Sequence, residues 1–111
     1  MASRLLCKVM RNKKPLCLLE VVAVDGRLGM NRYDFESWDY NRREGIVEAN
    51  YIVDEENTGK LAQLLGATSE RGLVAAFGRK FREGNNCHAC ESNFRRFCED
   101  NQIEFDYRVW Y

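Results

Sequence analysis

The first half of the chain has the hydrophobic and polar pattern of β-strands. Residues 4–10 and 16–24 are rich in leucine and valine, and a polar turn at residues 11–14 separates them. The second run is almost entirely apolar, which favours an interior strand covered on both faces. Residues 46–53 alternate between apolar and polar side chains and predict a further strand.

The segment between these strands has a less regular pattern. Asp25 and Gly26 form a strong turn signal, and Gly29 is expected to extend the loop. Residues 31–40 predict a short, twisted strand followed by a loop, and residues 41–45 predict another turn.

After residue 53 the period changes from two to 3.6, which predicts three helices. Asp54 is expected to cap the first helix, Gly66 to end it, and Thr68 or Ser69 to cap the second. The third helix is predicted over residues 88–100, with Asn101 in a left-handed conformation after it. The expected inward-facing residues are Leu61, Leu64 and Leu65 in the first helix, Leu73, Val74, Phe77 and Phe81 in the second, and Cys90, Phe94, Phe97 and Cys98 in the third.

Residues 103–111 alternate most regularly and predict a last strand. The element order ββββαααβ is typical of an α+β fold. We therefore predict one domain over residues 1–111, with a mainly antiparallel sheet of about five strands and three helices packed on one face. The last strand is expected beside the strand at residues 46–53 or at the opposite edge.

Composition narrows the class of protein. The chain has 111 residues, a mass of 13.0 kDa and a net charge of zero, so a binder driven by phosphate neutralisation is not favoured. Its apolar runs are shorter than the ~20 residues of a membrane helix, and no secretion signal is visible. These features predict a cytoplasmic protein without membrane association.

The cysteines support the same compartment, since their number, five, is odd and the chain is long enough to form a core without disulfides. Cys7 and Cys17 are expected to be buried free thiols on opposite faces of the sheet.

The segment Cys87-His88-Ala89-Cys90 has three chemical interpretations. A zinc site would need Cys98, which lies ~16 Å from Cys87 along a continuous helix. A redox dithiol suits the start of a helix but not the preceding sequence, and haem attachment needs a different order of residues. The favoured hypothesis leaves Cys90 in the core and Cys87 and His88 exposed without a catalytic role, with Glu91 beside His88 on the helix surface. We predict no metal site and no cofactor.

Two surface segments are candidate binding sites. Arg79, Lys80, Arg95 and Arg96 would form a basic patch for nucleic acid, although an ordinary solvated helix face is the favoured interpretation. The second segment mixes aromatic and acidic residues, which suits a basic protein surface, although Phe35 and Trp38 could instead belong to the core. The predicted partner-binding residues are Tyr33, Asp34, Glu36, Trp38, Asp39, Tyr40 and, separately, Trp110.

These observations favour a binding protein over an enzyme, because the chain has one histidine and no recognisable catalytic set or phosphate loop. The hypothesis is a small inhibitor or immunity-type protein that masks a basic surface of a protein partner. The alternatives are a thiol redox protein or sensor that uses Cys87 and Cys90, and a weak nucleic-acid binder. The sequence is also compatible with a homo-oligomer.

Overall fold

The computed structural model describes residues 1–35 and 47–110, and within these ranges five strands form one antiparallel sheet. Neighbouring strands in the sheet follow the chain order, so the last strand pairs beside the fourth, which is one of the two positions predicted. The strands are β1 (Ala2–Arg11), β2 (Lys14–Val24), β3 (Arg27–Asp34), β4 (Val47–Val53) and β5 (Asp106–Trp110).

Three helices connect β4 to β5 and pack on one face of this sheet, which confirms the predicted α+β fold and the order ββββαααβ. Asp54 and Ser69 cap the first two helices through their side chains, and Gly66 ends the first with a φ of 72°. Asn86 caps the third. The helices are α1 (Glu55–Leu65), α2 (Glu70–Phe81) and α3 (Cys87–Asp100).

The core lies between the helices and the sheet. Phe77, Phe81 and Phe94 stack edge-on or tilted from α2 and α3, with ring centroids 4.7 to 5.7 Å apart. Tyr51 continues this aromatic cluster onto β4, 5.8 Å from Phe94. The helices predicted from the 3.6-residue period therefore meet the sheet through the predicted apolar face of α2 and α3.

The loop predicted to extend to Gly29 is shorter in the structure. Asp25 and Gly26 have φ values of 51° and 78°, which matches a two-residue hairpin turn. β3 therefore begins at Arg27, and Gly29 lies inside it opposite Val22 and Ile52. The remainder of the predicted twisted strand and loop, from residue 36 onwards, lies outside the described residues.

The prediction that Cys7 and Cys17 lie on opposite faces is wrong. Arg11 pairs with Lys14 as the turn predicts, but a register shift between Val9 and Met10 changes the pairing beyond it, so that Cys7 lies opposite Leu19 and Val9 opposite Cys17. Both cysteines therefore contact the core on the helix side of the sheet.

α1 uses polar residues where leucines were expected. Asn57 and Thr58 are buried with Leu61, whereas Leu64 is 51% exposed. The Thr58 hydroxyl accepts from Leu28 N at 3.1 Å and donates to the Val53 carbonyl at 3.2 Å, so this polar side joins α1 to the sheet.

The end of α3 also differs from the prediction. Asn101 has a φ of −112°, and the left-handed residue is Gln102, with a φ of 56°. Ile103 is buried but precedes β5, which begins three residues later than the alternation implied.

Candidate functional site

The side of the sheet away from the helices is the first candidate site, and we call it the open face. Because successive residues of a strand point to opposite faces, the register assigns its members. From β2 to β5 these include Leu18, Glu20, Val22, Asn31, Tyr33, Glu48, Asn50, Ile52, Asp106, Arg108 and Trp110.

Apolar side chains are exposed across the open face. Trp110 is 58% exposed and Ile52 37% exposed, and Leu18, Val22 and Tyr33 are partly exposed around them. On β1, Leu5 lies opposite Glu20 and is also exposed. Apolar side chains grouped on one face are typical of an interaction surface.

A chain of polar side chains crosses the centre of the open face. Asn50 Nδ2 donates to Asn31 Oδ1 at 2.8 Å and to Glu48 Oε2 at 3.0 Å, and Asn31 Nδ2 donates to Glu20 Oε1 at 3.5 Å. Tyr33 Oη donates to the same oxygen of Glu20 at 3.1 Å. This network fixes Glu20 and Glu48 on the surface as acceptor groups.

The geometry brings together only some of the predicted binding residues. Tyr33 and Trp110 lie in one cross-strand row, with Glu48 between them. Asp34 lies on the opposite side of the sheet, because it follows Tyr33 in the same strand and pairs with the inward-facing Cys17. The other four predicted residues, Glu36, Trp38, Asp39 and Tyr40, lie outside the described residues, so their role stays a prediction.

The polar network itself was missed from the sequence. Glu20 is the single charge in an otherwise apolar strand, and Asn31 and Asn50 are polar positions in strand-like segments. Only the register shows that these residues lie side by side with Glu48 on one face. The sequence signal for this network was Glu20, a single carboxylate in an apolar strand.

A second cluster lies on the helix side of the sheet, around the buried carboxylate of Glu91. Glu91 Oε1 accepts from Arg32 at 2.6 Å and from Tyr51 Oη at 2.8 Å. The prediction that Glu91 lies beside His88 on the helix surface is therefore wrong, because Glu91 turns inward to a guanidinium and a phenol.

Tyr51 and Arg32 both keep their protons in this cluster. Burial and the Glu91 carboxylate together raise the pKa of Tyr51 above its usual range, so the phenol stays protonated and donates. Burial opposes the charge of Arg32, but the hydrogen bond and charge of Glu91 outweigh it and raise the pKa of the guanidinium. The carboxylate is occupied by its own neighbours, so we interpret this cluster as structural.

The residues of the predicted basic patch have different neighbours in the structure. The Arg95 guanidinium lies 5.2 Å from the ring centroids of Tyr51 and Tyr107, next to the sheet. Lys80 lies over Phe97 and shares a surface depression between α2 and α3 with Arg96 and Asp100. Arg95 and Lys80 therefore contact different aromatic rings, and the nucleic-acid hypothesis stays open.

Cys87 is not an exposed residue of α3. It forms a disulfide with Cys7, which ties the first turn of α3 to β1. The expectation of a free thiol at Cys7 is wrong for the same reason. Cys90 is fully buried, and burial raises the pKa of its thiol to about 11, which opposes thiolate formation. The structure therefore does not assemble a reactive pair from Cys87 and Cys90.

Over residues 1–35 and 47–110, no group of three or more histidine, cysteine, aspartate or glutamate residues is arranged to hold a metal ion. Within the same part of the chain, no helix has the length and apolar character needed to cross a membrane. Comparison with known protein families, curated proteins and solved structures finds no match for the chain.

Proposed function

We propose that the protein is a non-enzymatic binding module that uses its open face to cover a basic surface of a protein partner. The observation that supports this proposal most is the row Tyr33–Glu48–Trp110, in which two aromatic side chains flank a carboxylate. Aromatic residues are enriched at interface hot spots, and a carboxylate beside them selects for lysine or arginine.

The polar network gives this surface its preference for cations. Glu20 is supported by Tyr33 and Asn31, and Glu48 by Asn50, so both carboxylates are held in place before a partner binds. Fixing these side chains in advance lowers the entropy that binding would otherwise cost. The inhibitor or immunity role and the cytoplasmic location stay predictions, and a disulfide is more typical of oxidising compartments.

The experiment compares immobilised wild-type protein with Trp110→Ala and Glu48→Lys in extracts of the native cell, with captured proteins measured by quantitative mass spectrometry. The matched controls are Leu64→Ala, an exposed apolar residue on α1, and Glu99→Lys, an exposed glutamate on α3. We expect a specific basic partner that both controls retain and that the two open-face variants lose by at least about tenfold.

Binding to that partner should also weaken with added salt, because part of the contact is between exposed charges. A specific partner held with full affinity by both Trp110→Ala and Glu48→Lys would refute the proposal. A partner of acidic surface would refute its electrostatic part.

A further inference from the structure

The outer edge of β5 is one of the two edges of the sheet. β5 is the last strand in the sheet order, and among the described residues no strand pairs with its outer edge. Its register with β4 is continuous, without a bulge. The helices pack mainly against β1, β2 and β3, and on β5 Tyr107 is 42% and Trp110 58% exposed. An edge with these properties is a template for a further strand.

The charges of β5 are complementary to those of a second β5. We consider an antiparallel pair whose twofold axis passes midway between the two Tyr107 residues. In this register, Asp106 of each copy lies opposite Arg108 of the other. The axis stands perpendicular to the sheet, so the helices of both copies lie on one side. The register whose axis passes between the two Arg108 residues is disfavoured, because it places two arginines opposite each other.

The other edge of the sheet lacks this complementarity. β1 has three basic residues, Arg4, Lys8 and Arg11, and no acidic one, so two copies of β1 would repel each other. Its register also shifts at two places, between Leu5 and Cys7 and between Val9 and Met10. Such irregularities protect an edge from pairing.

From this contrast we propose that two copies of the chain associate through antiparallel pairing of β5 in the register centred on Tyr107, which forms one continuous sheet of ten strands. The contact is small compared with a standard interface, so the dimer is weak, with a Kd of about 10 µM to 1 mM. This inference is independent of the proposed function, because the open faces of both copies remain on the same side and uncovered.

A charge-swap cycle tests the register directly. Sedimentation equilibrium compares wild type, Asp106→Arg, Arg108→Asp and the double variant that exchanges the two charges. Each single variant places two like-charged pairs in the dimer, so we expect its Kd to rise at least about tenfold. The double variant restores both pairs and should return to within about threefold of wild type.

The matched control is Arg79→Asp, the same charge change at an exposed position of α2, which should leave the association unchanged. Amide hydrogen exchange at high and low protein concentration provides a second measurement on the wild type alone. We expect concentration-dependent protection confined to β5. A wild type that is monomeric up to about 1 mM, or a dimer that both single variants leave intact, would overturn the proposal.

Discussion

Tyr51 on β4 and Glu91 on α3 are joined by a hydrogen bond of 2.8 Å, and the same carboxylate oxygen accepts from Arg32 on β3. The glutamate thus links two adjacent strands to the helix above them. Its side chain is 5% exposed and that of Arg32 25% exposed. Loss of the carboxylate would leave a phenol and a guanidinium without this acceptor in a largely buried setting.

We therefore expect Glu91→Ala to lower the free energy of unfolding by about 2–4 kcal/mol. Urea denaturation followed by circular dichroism measures the change. Glu99→Ala, on the exposed side of the same helix, is the control and should stay within about 0.5 kcal/mol of wild type. A loss below about 1 kcal/mol for Glu91→Ala would show that the cluster contributes little to stability.

The disulfide between Cys7 and Cys87 closes a large part of the chain, since 80 positions separate the two cysteines. Replacing both with alanine should lower the free energy of unfolding by about 2–4 kcal/mol, because the unfolded chain gains freedom. Alkylation of the denatured protein should modify the three free cysteines before reduction and all five cysteines after it. Five modified cysteines before reduction would contradict the bond.

Two glycines should respond in opposite directions to the same substitution. Gly26 has a φ of 78°, so Gly26→Ala strains the hairpin turn and should cost about 1 kcal/mol. Gly59 lies within α1, and a Cβ there would meet nothing within 4 Å, so Gly59→Ala should stabilise the protein by about 0.5–1 kcal/mol. Thermal unfolding of both variants measures the signs, and equal signs would contradict the backbone argument.

Alkaline pH should lower the free energy of unfolding through the half-buried thiol of Cys17. Burial raises the pKa of Cys17 from 9.0 to about 11, with a further contribution from the Asp34 charge. The Cys17 thiol therefore loses its proton at a lower pH in the unfolded chain than in the folded one. The contribution of the protonated Cys17 thiol to the free energy of unfolding is complete below pH 9 and is lost as the pH rises through about 11.

Alkylation of native Cys17 against pH should accordingly show a midpoint near 11. Cys17→Ala identifies the signal that belongs to this thiol, because Cys90 and Cys98 are buried in the core. A midpoint near 9 would mean that Cys17 is solvated.

The sequence was sufficient for most of the fold. Strand alternation and helix periodicity identified the elements, and local turn and capping signals fixed several boundaries, such as Asp54, Ser69 and Gly66. The errors occurred where long-range geometry decides. The register shift between Val9 and Met10 brings Cys7 and Cys17 to the same side of the sheet, and no local pattern specifies a shift of this kind.

Less of the candidate site could be predicted. Trp110 was identified because strict alternation placed it on a polar face, and it is exposed there. Tyr33 and Asp34 are neighbours in the sequence, but adjacent residues of a strand point to opposite faces of the sheet, so the two side chains do not share a surface. The pairing of Glu91 with Arg32 joins positions 59 residues apart, beyond the reach of periodicity.

The order of the strands also has a consequence for synthesis. β2, β3 and β4 each pair with the strand made just before them, whereas β5 leaves the ribosome after all three helices. Until then β4 is itself the boundary of the sheet, and the ring of Tyr51 lacks its contacts with Phe105 and Tyr107. The nascent chain thus passes through a stage in which β4 and the ring of Tyr51 are uncovered, and that stage ends only when β5 pairs with β4.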